Sequence, residues 1–73
     1  MSNRIIFTIK EDEEFIELIK LLKVTNIAES GAMAQILVAE EEVKRNGEVE
    51  LRKRAKIRRG EVIEVLSQEI EVR

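Results

Sequence analysis

The chain opens on an apolar, β-branched run. Ile5, Ile6, Thr8 and Ile9, with Phe7 among them, predict a first strand over Arg4 to Ile9. The period then changes. Glu11 to Glu14 is read as the acidic first turn of a helix, which suits the positive end of the helix dipole. Phe15, Leu18, Ile19 and Leu22 follow at i, i+3, i+4 and i+7, the spacing of one buried helical face. Lys20 and Lys23 lie toward its far end. Val24 to Ile27 is the break, with Asn26 suited to a left-handed turn. Ser30 is a good N-cap for a second helix, with Gly31 and Ala32 at its first positions and Met33, Ile36 and Leu37 as its apolar stripe. Glu40 to Glu42 closes that helix, at the end the dipole disfavours. Val43 to Glu50 reads as a hairpin around Asn46-Gly47, a pair suited to the two positive φ angles of a type I′ turn. In that register Lys44 faces Val49 and Arg45 faces Glu48, which allows an exposed cross-strand ion pair. Residues 51–59 alternate, with Leu51, Ala55 and Ile57 on one parity and Arg52, Arg54, Lys56 and Arg58 on the other. As a strand they form a row of four cations, spaced about 6.6 Å apart. Gly60 permits a turn, Glu61 to Val65 is another strand, and Leu66 to Glu69 turns into a last one, Ile70 to Val72. The expected class is α+β: two adjacent helices packed on a small, mostly antiparallel sheet of about 4–5 short strands.

Composition narrows what such a fold is for. The chain has 73 residues, 44% of them hydrophobic, which fits one domain over 1–73 with a thin core. It has no Cys, His, Trp, Tyr or Pro. Disulfides, thiolate nucleophiles and the usual zinc ligands are therefore excluded, and most general acids and bases are missing. The expectation is no enzyme, no metal and no cofactor. Met1-Ser2-Asn3-Arg4 leads into an apolar patch too short for a signal-peptide core. The longest unbroken apolar stretch after it is Ile36 to Ala39, against about 20 residues for a membrane span. A soluble, cytoplasmic protein with no membrane partner is expected.

The net charge of −2 conceals a division. Residues 1–43 hold four basic and nine acidic residues, a net −5. Residues 44–59 hold eight basic and two acidic, a net +6. Residues 60–73 hold one basic and four acidic, a net −3. A polyanion responds to the local potential rather than to the sum. One reading of the basic segment is an edge strand kept soluble by its charges. Against that, the cations from Arg52 to Arg59 have no acid among them, whereas solubility is served by mixed charge. Arginine also outnumbers lysine there, and its planar fork suits phosphate. Ser30-Gly31-Ala32 places small residues at a helix N-terminus, where backbone N–H groups favour an anion, or simply forms an ordinary cap. The acidic runs read as solvated helix ends. Phe7 and Phe15 are assigned to the core. That leaves no aromatic platform for stacked bases, so backbone and shape recognition is the expected mode.

The order of these motifs resembles a known family. A helix, a Ser30-Gly31-Ala32-Met33-Ala34-Gln35 helix, Val43-Lys44-Arg45-Asn46-Gly47-Glu48-Val49-Glu50, Arg52-Lys53-Arg54-Ala55-Lys56-Ile57 and Gly60-Glu61-Val62-Ile63 together resemble the RNA-binding domain named after the fourth small-subunit ribosomal protein. This is the S-four domain, or αL motif, and the chain is most similar to its small stand-alone bacterial, YbcJ-like subgroup. The core of the resemblance covers about residues 15–65. It implies non-catalytic binding of structured or ribosomal RNA, association with the ribosome and translation, and a monomer with no small-molecule substrate. It also implies an interface of Arg52, Lys53, Arg54, Lys56, Arg58, Lys44 and Arg45, joined by Ser30, Gly31 and Gln35 from the second helix. Family members often carry a basic residue where this chain has Gly31, a Gly where it has Glu41-Glu42, and an apolar residue where it has Arg45. The first two differences weaken the helix side and the third strengthens the hairpin side. The alternative is a small adaptor that binds protein and no RNA. A sulfur-carrier role does not fit, since the chain ends Ile70-Glu71-Val72-Arg73 rather than in Gly-Gly.

Overall fold

A computed structural model describes residues 3–73. Met1 and Ser2, read above as part of the lead-in to the first strand, lie outside the described residues. The elements are β1 (Asn3–Phe7), β2 (Phe15–Glu17), α1 (Leu18–Val24), α2 (Gly31–Ala39), β3 (Val43–Arg45), β4 (Glu48–Val49), β5 (Lys56–Arg58), β6 (Val62–Val65) and β7 (Gln68–Val72). Five strands form one sheet in the order β1-β7-β6-β3-β4, with β1 and β7 parallel and the other pairs antiparallel. β2 and β5 form a separate antiparallel ribbon. The two helices share one core with both sheets, as the α+β reading expected. Leu18, Leu21, Leu22 and Val38 pack there with Val43, Ile57, Ile63 and Ile70, all fully buried.

The predicted first helix starts late. Phe15, Ile16 and Glu17 are extended and pair with Arg58, Ile57 and Lys56. Helix α1 begins only at Leu18, so Glu11 to Glu14 do not form its first turn. Its leading N–H groups are met by a distant loop: Leu18 N–H donates to the Ala55 carbonyl at 2.9 Å and Ile19 N–H to the Lys53 carbonyl at 3.3 Å. Such orphan donors must find a partner, and here the chain supplies carbonyls rather than a side-chain cap. At the other end Thr25 Oγ1 donates to the Leu21 carbonyl and Asn26 takes φ 62°, the predicted left-handed stop.

Helix α2 begins at the Ser30 cap, whose Oγ accepts the Met33 N–H at 3.2 Å. Its buried stripe is Ala34, Leu37 and Val38, not Met33, Ile36 and Leu37. Met33 and Ile36 are 42% and 49% exposed. Both triplets have helical spacing, and the small Ala34 lets the backbone come closest to its neighbours. The helix ends with Glu41 at φ 62°, while Glu42 N–H donates to the Leu37 carbonyl and Glu41 N–H to that of Val38. That left-handed residue usually is Gly.

The hairpin β3–β4 has the predicted register, Lys44 opposite Val49 and Arg45 opposite Glu48. Asn46 and Gly47 have φ 51° and 89°. The strand predicted over 51–59 is reduced to Lys56–Arg58, because the chain turns at 53–54 and offers the Lys53 and Ala55 carbonyls to α1. The β6–β7 hairpin is tighter than expected. Val65 pairs with Gln68 across Leu66 and Ser67, which have φ 49° and 64°. Neither residue favours that region. Replacing Leu66-Ser67 by Asn-Gly, the pair the chain uses at its other hairpin, is expected to raise stability by about 1 kcal/mol. Urea unfolding would show this as a higher midpoint at unchanged slope.

Candidate nucleic-acid interface

The basic segment is organised around Arg45. Its guanidinium makes a two-pronged contact with the Glu61 carboxylate, with Nη2 donating to Oε1 at 2.9 Å and Nε donating to Oε2. Nη1 reaches Glu50 Oε1 at 3.2 Å, and Nη2 also donates to the Lys56 carbonyl at 2.9 Å. The exposed Arg45–Glu48 pair expected from the hairpin register therefore gives way to contacts with Glu50 and Glu61. Glu50 is the buried charged residue among the described residues. Its Oε2 accepts the Arg52 N–H at 3.0 Å and the Arg52 Nε at 3.2 Å. Glu61 Oε1 accepts the Arg58 N–H at 2.9 Å. One arginine and two glutamates thus fix both ends of the 52–58 segment. The Lys53 and Ala55 carbonyls bound to α1 fix its middle.

The electrostatics follow from these contacts. Hydrogen bonds from Arg45 hold the Glu61 carboxyl below the ordinary carboxylate range, against the opposing effect of burial. For Glu50, burial alone would raise the pKa, but hydrogen bonds from the Arg52 side chain and backbone and from Arg45 outweigh it and lower it. The Arg45 guanidinium is held more firmly protonated by Glu61 first and by Glu50 as well.

The remaining cations are differently placed. Arg52, Arg54, Lys56 and Arg58, with Arg45 at the back and Ala55 at the floor, line a shallow concavity of about 460 Å³. No acidic side chain lines it. Arg52 keeps its contact with Glu50 yet is 75% exposed. Arg54, Lys56 and Arg58, like Lys53 and Lys44, make no ion pair among the described residues. Lys53 lies on the same turn outside the concavity. Lys44 stands apart, opposite Glu64 and beside Glu42 and Glu69. Arg59, counted in the basic segment, donates to the carbonyls of Ile9, Lys10 and Glu13 and clamps the acidic turn after β1. Ser30, Gly31 and Gln35 do not line the concavity. They sit at the start of α2, where a methyl group on Gly31 would lie 3.9 Å from Lys23 Cδ. Lys23, at the far end of α1, therefore lays its side chain beside the start of α2.

Phe15 was assigned to the core, and the structure places it otherwise. It is only half-buried, outside the apolar cluster, on the outer face of the β2–β5 ribbon. Lys56 Nζ stands over its ring at 5.0 Å and Arg58 Cζ at 5.9 Å. Phe7 is half-buried against the core. The sequence signal for Phe15 was its place in an alternation, Phe15 and Glu17 out and Ile16 in, which the helical spacing of Phe15, Leu18 and Leu22 masked.

Glu50 and Glu61 tie stability to pH. Both carboxyls titrate lower in the folded chain than their ordinary value of 4.5. Their contribution is thus complete above that value and is lost as pH falls below it. Arg45→Met is expected to lower stability by about 2–3 kcal/mol at neutral pH, since it leaves Glu61 without its main donor and removes one of the donors to the buried Glu50. It should also flatten the loss of stability between pH 5 and 3. Urea titrations of both proteins across that range check the two effects together.

Known proteins share this fold. The S4 domain model matches residues 7–73. YbcJ of Escherichia coli (strain K12) is 44% identical over 57 residues, covering 78% of this chain and 81% of that protein, and YbcJ of Shigella flexneri matches to the same extent. The solution structure of E. coli YbcJ, described as revealing an αL motif involved in RNA-binding, is 40% identical and aligns with a TM-score of 0.73, covering 99% of this chain and 90% of that one. With its two adjacent helices, its Asn-Gly hairpin and a family match across nearly the whole chain, the protein belongs to the S4 domain family.

Proposed function

We propose that this protein binds structured RNA, and ribosomal RNA in particular, without catalysing a reaction. The carrying observation is the concavity lined by Arg52, Arg54, Lys56 and Arg58, whose rim has no carboxylate. The carboxylates that contact its cations, Glu50 and Glu61, are engaged by Arg45 and Arg52. Among the described residues three of the five lining cations, Arg54, Lys56 and Arg58, make no ion pair, so phosphate need not displace a carboxylate from them. Membership of the S4 family, and the αL motif described for E. coli YbcJ, support the reading.

In this proposal Arg52, Arg54, Lys56, Arg58 and Lys53 contact phosphate. Arg45 holds the loop that presents them. Ser30, Gly31 and Gln35, with Lys23 beside Gly31, form a second and weaker contact at the start of α2, and Lys44 a peripheral one. The protein works as a monomer in the cytoplasm, at or near the ribosome. No cofactor takes part.

The test is a fluorescence-anisotropy titration of a structured RNA across a range of salt concentrations. Neutralising about 3–5 phosphates gives a slope of log affinity against log salt near −3 to −4. Arg54→Glu with Lys56→Glu should weaken binding at least tenfold and make that slope shallower by about 2. Absence of binding at low salt, or binding untouched by the double charge reversal in a folded protein, contradicts the proposal.

A further inference from the structure

The outer face of the β2–β5 ribbon carries a combination that phosphate binding alone does not use. In that register Phe15 lies opposite Arg58 and Glu17 opposite Lys56, and these four residues share one face. Ile16 and Ile57, also paired, point to the other face and are buried. Phe15 is not part of the apolar core, yet it is held beneath two cations. A partly exposed aromatic ring costs solvation, and neither core packing nor a cap explains it.

We propose that Phe15 is a stacking platform for one unpaired nucleobase, with Lys56 and Arg58 holding the phosphates on either side of that nucleotide. The proposal rests on the RNA-binding reading and specifies what the RNA must present: a single-stranded nucleotide next to a paired region. An aromatic ring flanked by cations is what sequence-tolerant recognition of single strands requires, because every base offers a π face while its phosphates need charge. When phosphate draws Lys56 and Arg58 aside, the ring face they cover is released to the base. The surroundings fix the direction of the strand's path. Phe15 also borders a groove of about 930 Å³ lined by four carboxylates, Asp12, Glu13, Glu14 and Glu17, against two cations, Lys10 and Lys20. Carboxylates repel a phosphate but accept hydrogen bonds from the amino groups of bases. The sugar–phosphate chain therefore stays over the basic concavity, and the base points toward the groove.

The chain has no Trp, so Phe15→Trp introduces a single fluorophore at the proposed contact. Two probes serve: a blunt RNA duplex, and the same duplex with a single-stranded extension. The proposal expects the extended RNA to quench the emission of Phe15→Trp and the blunt duplex to leave it unchanged. It also expects Phe15→Leu, which keeps apolar bulk, to lose affinity for the extended RNA at least tenfold more than for the blunt duplex. Binding of the extended RNA with unchanged Trp emission, or a Phe15→Leu protein with the wild-type ratio of affinities, overturns it. If the wild-type protein binds neither RNA, the RNA-binding reading itself falls, which is a different result from binding without stacking.

Discussion

The basic surface proposed to meet RNA depends on the ion cluster of Arg45, Glu50 and Glu61. These residues come from three places: the inner strand of the Asn-Gly hairpin, the end of that hairpin and the turn before β6. Removing Glu50 from water is costly, and the donors of Arg45 and Arg52 offset that cost. Burial of this kind is weak evidence of net stability, because an apolar substitute often does as well. What the cluster supplies is position. Arg45 donates to the Lys56 carbonyl and Glu61 receives the Arg58 N–H, so β5 is anchored through its backbone and the buried Ile57 while the Lys56 and Arg58 side chains stay outward. The Lys53 and Ala55 carbonyls then cap α1. The basic loop is held entirely by groups other than the cations it presents, except at Arg52.

Charge is segregated by the same means. Arg59 is withdrawn from the basic surface to hold the turn between β1 and β2, with its carboxylates, in place. Phe15 borders a groove in which carboxylates outnumber lysines, and the two cations over its ring belong to the basic concavity. A polyanion meeting this surface is attracted to one side and excluded from the next, which confines its path more than a uniformly basic patch would. The modest total charge is thus compatible with strong local binding, and it limits attraction to unrelated polyanions.

Local signals in the sequence were reliable. Asn46-Gly47 gave the hairpin and its register, Ser30 gave the α2 cap, and Asn26 and Gly60 gave left-handed turns. Each depends on a few neighbouring residues. The misreadings come from tertiary contacts that local spacing does not show. Phe15, Leu18 and Leu22 have helical spacing, but the pairing of Phe15–Glu17 with β5 decides where the helix starts. Arg45 faces Glu48 across the hairpin, yet Glu50 and Glu61 offer several hydrogen bonds in a less exposed place. The α2 stripe was misplaced because two triplets share one spacing, and only packing against α1 selects Ala34, Leu37 and Val38. The cations of the basic segment were legible as a group. Which of them are engaged in the structure, as Arg45 and Arg59 are, was not.

The central claim is that the segment from Arg52 to Arg58, held by Arg45, Glu50 and Glu61, is the surface that meets RNA. Amide chemical-shift mapping of the isotopically labelled protein against a structured RNA with an unpaired extension tests it most directly. The account predicts the largest changes over Arg52 to Arg58 and at Phe15, with smaller ones at Ser30 and Gly31 and little change along β1 and β7. Changes concentrated on β1 and β7, with the 52–58 segment unmoved at saturation, would contradict it.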